Sequence, residues 1–128
     1  MARVNENRLR YWGDKQKAFP ANTTEAIYIG DLLKVDSGVI KKMTAASDAA
    51  GFIGVAMSSK EAGETGKVLV ALDGVFEMDK NGAINPFDKV MFSDNQEVVS
   101  DDGTGNDIGF AYEVKDTTVL VKIKSKFV

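Results

Sequence analysis

The chain contains neither cysteine nor histidine among its 128 residues. Without cysteine there is no disulfide, thiolate zinc site or cysteine nucleophile, and folding should not depend on the redox compartment. The absence of histidine removes the commonest general base and the commonest transition-metal ligand. The remaining carboxylates, lysines, tyrosines and hydroxyls form no pattern that pairs a nucleophile with an activating base. We therefore expect no enzyme activity, no catalytic residues, no metal site and no cofactor.

Long apolar runs are also missing. No run approaches the roughly 18 apolar residues that a membrane-spanning helix needs, and the polar N-terminus lacks a signal-peptide-like stretch. The sequence thus predicts no membrane association and a chain that begins at Met1 in a cytoplasm-like compartment. A chain of 128 residues is long enough for one domain with a core that needs no covalent staples.

The net charge is small, and the charged residues are unevenly distributed. The net charge is −3, which is too mild and of the wrong sign for a protein that binds nucleic acid through its whole surface. Residues 1–20 carry five basic and two acidic groups, whereas the remaining chain has a net charge of −6. All three arginines lie within the first ten residues. The basic character is therefore confined to the N-terminal segment.

Short apolar runs separated by glycine, serine and aspartate dominate from residue 26 onward. Such runs are too short for helices and are typical of strands packed in a core. About ten strands are predicted, beginning at Ile27–Ile29, with a β meander over Gly51–Met78 and a three-residue hairpin loop at Asp36-Ser37-Gly38. Only residues 44–50 favour a helix, of one or two turns. The fold class is all-β, a small β-barrel or β-sandwich that the sequence does not distinguish.

The chain repeats itself weakly. Asp31 precedes Gly54 by 23 residues, Asp88 precedes Gly109 by 21 residues, and an apolar strand follows each glycine. Two such copies predict an internal pseudo-repeat within one domain. A glycine at the same point of both copies indicates a bulge or a close approach of two backbones. We accordingly expect Gly54 and Gly109, together with Gly74 between the copies, to be structural glycines.

Residues 1–24 are mostly polar and sustain neither a strand nor a helix period, so we interpret them as an extended N-terminal arm before a β domain at residues 25–128. A disordered tail is the simpler interpretation. However, the arm carries residue types that are enriched at the centres of protein interfaces. We expect these side chains to contact either their own domain or a neighbouring protein: Arg8, Arg10, Tyr11, Trp12 and Phe19.

Two other loops bear on ligand binding. Residues 63–67 (GETGK) resemble part of a phosphate-binding loop, but the pattern is incomplete and Lys67 opens a strand rather than a helix. Acidic and amide side chains at positions 94–95, 101–102 and 106–107 could ligate Ca²⁺, although their spacing does not match an EF-hand. Turn geometry and solubility explain both loops, and we predict no ligand at either.

The order of the glycine-centred strings resembles a family of tailed-phage capsid decoration, or cement, proteins. The strings are Gly30-Asp31, Ile53–Ala56, Ala62–Glu64, Gly74–Met78, Pro86–Val90 and Ile108–Ala111, followed by a Val-rich strand. The family is also filed as a phage domain of unknown function or under a recombinase label. Members commonly begin near the first strand, whereas this chain has an additional arm of some twenty residues.

The resemblance implies a β-rich (β-tulip-like) structural protein on the virion exterior, with assembly in the host cytoplasm. Its partners would be the major capsid protein and itself, usually as a homotrimer and sometimes as a dimer, and its role would be capsid stabilisation. The arm residues would then contact the capsid or a neighbouring subunit. The alternatives are a DNA-binding protein that acts through the basic aromatic arm and a carbohydrate-binding module that presents Tyr112 or the loop at residues 100–106.

Overall fold

A computed structural model describes residues 9–12, 15–93, 96–101, 103 and 105–127, with the backbone alone at 9–12. Short strands account for nearly all of the regular structure in these ranges, together with one 3-10 helix at Ala46–Gly51. The strands are β1 (Leu9–Trp12), β2 (Gln16–Pro20), β3 (Leu32–Asp36), β4 (Val39–Lys42), β5 (Phe52–Ala56), β6 (Lys67–Ala71), β7 (Gly74–Asp79), β8 (Lys89–Phe92), β9 (Val98–Ser100), β10 (Asp107–Val114) and β11 (Thr118–Ile123).

The strands form two antiparallel sheets. The five-stranded sheet has the order β2-β6-β5-β3-β4, and the six-stranded sheet has the order β1-β7-β11-β10-β8-β9. This confirms the all-β class and resolves the choice between barrel and sandwich in favour of a sandwich-like pair of sheets. The five-stranded sheet is nonetheless strongly curled, because Ala21, directly after β2, bridges to Ile40 in β4 at the opposite edge.

Two apolar clusters form the core. The larger lies between the sheets, where one face of the five-stranded sheet, with Phe52 and Val55, meets the inner face of the six-stranded sheet, with Phe76 and Phe92. The smaller covers the other face of the five-stranded sheet and includes Ile53. β5 contributes to both clusters, and all five of its residues are buried. Its continuous apolar run, without the alternation of a half-exposed strand, follows from this two-sided burial.

The predicted pseudo-repeat is confirmed by the strand order. If residues 16–72 are the first half and residues 74–123 the second half, β2-β6-β5-β3-β4 corresponds strand for strand to β7-β11-β10-β8-β9, and β1 is an addition at the edge. Equivalent hydrogen bonds recur: the N–H of Asn22 donates to the carbonyl of Ile40, and the N–H of Asn81 donates to that of Val98, each at 2.9 Å.

The two aspartates that open the repeats make the same turn. The carboxylate of Asp31 accepts the N–H of Tyr28, and that of Asp88 accepts the N–H of Asn85, both at 2.9 Å. Such side-chain to backbone bonds three residues apart define a local turn without a helix. Each turn leads into the central antiparallel pair of its half, β3 with β5 or β8 with β10.

Three local predictions differ from the structure. The meander over residues 51–78 is wrong in its third strand, since β7 leaves the five-stranded sheet and pairs with β1 and β11. The edge of β6 that β7 would need is already taken by β2. The predicted strand Ile27–Ile29 is only an isolated bridge from Ile27 to Lys60. The first hairpin has a two-residue loop, because Asp36 pairs with Val39 and both intervening residues have positive φ.

The segment predicted as an irregular arm contains β1 and β2. β2 pairs with β6 from Gln16↔Ala71 to Pro20↔Lys67, so residues 16–20 are an edge of the five-stranded sheet rather than a lead-in. β1 pairs with β7 at the edge of the six-stranded sheet. The boundary at residue 24 between arm and domain stays a prediction.

Gly54 and Gly109 occupy equivalent positions where two backbones nearly touch. A Cβ atom added at Gly54 would lie 1.9 Å from the carbonyl oxygen of Ala71, and one at Gly109 would lie 2.2 Å from that of Lys122. Both distances are far below a van der Waals contact, and the obstacle is backbone that cannot move aside. The requirement for glycine at these two positions is therefore steric.

The halves are also joined by a polar contact. Gln96, in the turn between β8 and β9, is buried, and its side-chain oxygen accepts the N–H of Leu32. Its side-chain nitrogen donates to the carbonyl of Met43 at 3.0 Å. The amide thus satisfies backbone groups of the first half that the second half would otherwise desolvate.

We predict that Gly54→Val and Gly109→Val each lower the free energy of unfolding by about 3 kcal/mol, because the added side chain must displace a neighbouring strand. Gly63→Ala is the control: Gly63 has a positive φ and no heavy atom within 4 Å of an added Cβ, so its loss should be only about 1 kcal/mol. Urea denaturation measures all three. Equal losses in the three variants would contradict the steric explanation.

Gln96→Ala should lower the free energy of unfolding by about 2 kcal/mol, since it leaves buried backbone groups of Leu32 and Met43 without partners. Gln16→Ala, which removes an exposed glutamine from β2, should change stability little. Chemical denaturation of both variants tests the contact. A Gln96→Ala protein as stable as the Gln16→Ala protein would show that the amide does not hold the halves together.

Candidate functional site

The structure describes only part of the predicted interface residues of the arm. Arg8 lies outside the described residues, as do the side chains of Arg10, Tyr11 and Trp12, whose backbone belongs to β1. β1 is an outermost strand of its sheet, with β7 on one side. The backbone groups on the other side face no strand within the described residues. An edge of this kind can accept a strand of another chain.

Phe19 is the one predicted arm residue with a described side chain. It is half-buried and packs on the smaller apolar cluster, while the ammonium group of Lys17 lies 5.6 Å from its ring centroid. Phe19 therefore contacts its own domain, one of the two outcomes expected for the arm. Beside it lies an apolar cleft of about 400 Å³, whose lining includes Val35, Ile53, Leu72 and the half-exposed Phe127.

A second cleft, of about 300 Å³, lies on the outer face of the six-stranded sheet. Phe110, which is partly exposed, is its one aromatic residue. The cleft combines this ring with charged side chains, which distinguishes it from the apolar cleft beside Phe19. Its charged lining consists of Lys89, Asp107, Lys122 and Lys124.

The lysines of this second cleft differ in their pairing. Lys122 forms an ion pair with Asp73, and this hydrogen bond holds the pKa of the Asp73 carboxyl below its usual value. The charge of Lys122 is therefore compensated at neutral pH. Lys89 and Lys124 form no ion pair within the part of the chain that the structure describes, and Lys89 is exposed. The net positive charge of the cleft thus comes from these two side chains.

The large exposed apolar side chains include Phe87 and Phe110, which were not predicted from the sequence, and Tyr112, which the carbohydrate-binding alternative presents outward. Phe87, Phe110 and Tyr112 are exposed, as is Phe127 at the end of the described residues. Two sequence signals could have pointed to the first two. Phe87 follows Pro86 in a polar turn, and Phe110 occupies the position in Ile-Gly-Phe-Ala that the buried Val55 holds in Ile-Gly-Val-Ala.

The predicted glycines and ligand loops can also be placed. Gly54 and Gly109 lie on the central strands β5 and β10, and Gly74, with φ +132°, begins β7 where the chain passes between sheets. In the loop that resembles a phosphate-binding motif, Lys67 opens β6 as expected from the sequence.

Of the acidic and amide positions weighed as Ca²⁺ ligands, 94, 95 and 102 lie outside the described residues. Within the described ranges, no three acidic side chains lie close enough together to hold a metal ion. The same part of the chain contains no helix that is long and apolar enough to cross a membrane.

The comparisons with known proteins agree on the kind of protein. A family model described as phage cement protein matches residues 13–123, which leaves only residues 1–12 before the match. No curated protein matches the chain. Among solved structures, the head fiber gp8.5 N base of bacteriophage phi29 has a similar fold, with a TM-score of 0.61 and 16% sequence identity over 86% of this chain and 95% of that one.

The structural likeness, at this low identity, shows a shared fold, whereas the family match covers most of the chain. The family match confirms the resemblance drawn from the glycine-centred strings and gives no support to the DNA-binding alternative. The chain belongs to the phage cement protein family and has a capsid-associated structural role.

Proposed function

We propose that the protein binds the outer surface of an assembled phage head and reinforces the shell, with the major capsid protein as its partner. The family match over residues 13–123 carries this proposal. The fold suits a reinforcing role, because the two sheets share a core. The second half is also joined to the first by the buried side-chain amide of Gln96. In the C-terminal segment, the N–H of Lys126 donates to the carbonyl of Phe52. These contacts hold the two halves together.

The N-terminal arm is the first proposed contact. The segment before the family match combines arginines with Tyr11 and Trp12, the residue types that supply most binding energy at protein interfaces. Arg10, Tyr11 and Trp12 belong to β1, an outermost strand whose second side faces no strand within the described ranges. A strand from a capsid subunit or from a second copy could pair there, while the arm's positive charge favours an acidic surface.

Self-association and location follow from the same role. A homotrimer would match a three-fold position of an icosahedral shell, and a dimer would match a two-fold position. The protein would be made in the host cytoplasm and would act on the exterior of the virion. Its function requires no catalysis, in keeping with a sequence that has neither histidine nor cysteine.

Analytical ultracentrifugation tests the function directly. The full chain is sedimented alone and with empty heads of its parent phage that lack the protein. We expect co-sedimentation at a fixed number of copies per head, and a sedimentation coefficient for the free protein that reveals its oligomer. A protein that ignores heads but shifts with duplex DNA in a salt-dependent manner would contradict the proposal.

Deletion of residues 2–14 should abolish or weaken head binding while the remaining chain stays folded. The cut must stop there because β2 fills an edge of the five-stranded sheet and Phe19 packs in the smaller cluster. Circular dichroism and thermal unfolding monitor folding, and co-sedimentation monitors binding. Deletion of residues 2–20 is the comparison, and it should destabilise the domain itself. Undiminished binding after the shorter deletion would refute the role of the arm.

Single substitutions localise the arm contact. Trp12→Ala and Arg10→Ala should each weaken association with heads or between subunits by about 1 to 3 kcal/mol, as expected for interface anchors. Lys67→Ala, which removes an exposed cation from the start of β6, should have no effect. Titration of labelled protein against heads measures the affinities. Losses below about 0.5 kcal/mol for both arm variants would instead favour a solvated tail.

A further inference from the structure

We infer that Phe87, Phe110 and Tyr112 form a second docking surface, here named the aromatic corner, which binds an acidic protein surface with an apolar recess on the shell. The inference rests on the proposed function and assigns a contact separate from the arm. Three of the four large apolar side chains that the structure shows as exposed belong to this corner.

The three aromatic residues come from adjacent backbone positions. The N–H of Phe87 donates to the carbonyl of Ala111 at 2.8 Å, and Ala111 lies between Phe110 and Tyr112 on β10. Ala111 itself is buried in the core, whereas the residues on either side of it point away from that core and are exposed. Position 87 therefore lies beside the two exposed positions of β10, at one corner of the six-stranded sheet.

Phe87 is held in an unfavourable backbone conformation. Its φ is +71° and its side chain is 77% exposed. Bulky residues are rarely found in this left-handed region, and their strain is often associated with function. The equivalent position of the first half is Gly30, with φ +93°, whose N–H donates to the carbonyl of Ala56 as that of Phe87 does to Ala111. The turn thus suits glycine, and burial of the Phe87 side chain does not offset the strain.

In the first half of the repeat, the sheet face equivalent to the one that carries Phe110 is covered. By strand register, Phe110 corresponds to Val55, Lys89 to Leu32 and Lys122 to Ala71. Val55, Leu32 and Ala71 are buried against the six-stranded sheet in the larger cluster. This face of the repeat is therefore an interface in the first half. In the second half it is exposed and carries an aromatic ring among lysines.

Charge indicates the kind of partner. Lys89 and Lys124 border Phe110 in the second cleft and have no ion pair within the described residues, whereas Lys122 is paired with Asp73. One further carboxylate, Asp107, lines the cleft. The lining of the cleft beside Phe110 is thus net positive on a chain whose net charge is −3. A partner with acidic groups around an apolar recess complements both the charge and the rings.

Phe87→Gly separates docking from folding. Glycine adopts the left-handed conformation freely, so the melting temperature should be unchanged or higher. Affinity for empty parent-phage heads should fall by roughly tenfold if Phe87 is an anchor. A Lys89→Glu, Lys124→Glu double variant should also bind more weakly, with a loss that shrinks at high salt. Phe127→Ser, which removes an exposed aromatic residue outside the corner, is the control and should bind normally.

Two results would overturn the aromatic corner: head binding by Phe87→Gly equal to wild type, or an equal loss in Phe127→Ser. If the first result comes with a changed oligomer of the free Phe87→Gly protein, the corner is a contact between copies. In each case wild-type binding to heads would leave the proposed function intact. If the wild-type chain itself fails to bind heads, the proposed function falls, so the two failures are distinguishable.

Discussion

The five-stranded sheet is apolar on both faces, so both faces must be covered by other parts of the chain. Such a sheet cannot face water on either side, because its buried residues would lose the transfer free energy that stabilises them. One face is covered by the six-stranded sheet, and the other by the curl of the sheet itself, where Ala21 bridges to Ile40. At the centre is β5, which packs on both sides and so tolerates no polar residue.

The two halves of the repeat have the same strand arrangement but differ in which sheet face is buried. The two halves share their strand order, their aspartate turns and the close backbone approach at Gly54 and Gly109. They differ on one sheet face, which is buried in the first half and exposed in the second. A duplicated unit that buries one copy of a face leaves the other copy available for contacts, which suits a protein whose role is to bind a shell.

Much of the fold was predictable because the strands carry local signals. The apolar runs identified β3 to β11 as strands, and the aspartates and the paired glycines identified the duplication. β2 was missed because QKAFP at an exposed sheet edge has no alternation to detect. The partner of β7 was wrong because strand pairing depends on which edges are already occupied, and β2 occupies the edge of β6.

Of the two candidate contact surfaces, the sequence predicted the arm but not the aromatic corner. Residue types alone singled out Arg10, Tyr11 and Trp12, since arginine and aromatic residues in a polar segment are unusual. The aromatic corner is different, because local signals mark its residues one at a time and only tertiary structure shows which side of a sheet is covered.

The sequence by itself determined that this is an all-β, duplicated chain without the side chains for histidine or thiol chemistry, because those properties reside in residue types and their spacing. Only the tertiary structure decided which copy of the repeated face is buried and which is exposed. That choice depends on how the two sheets pack, a long-range outcome that no local pattern encodes.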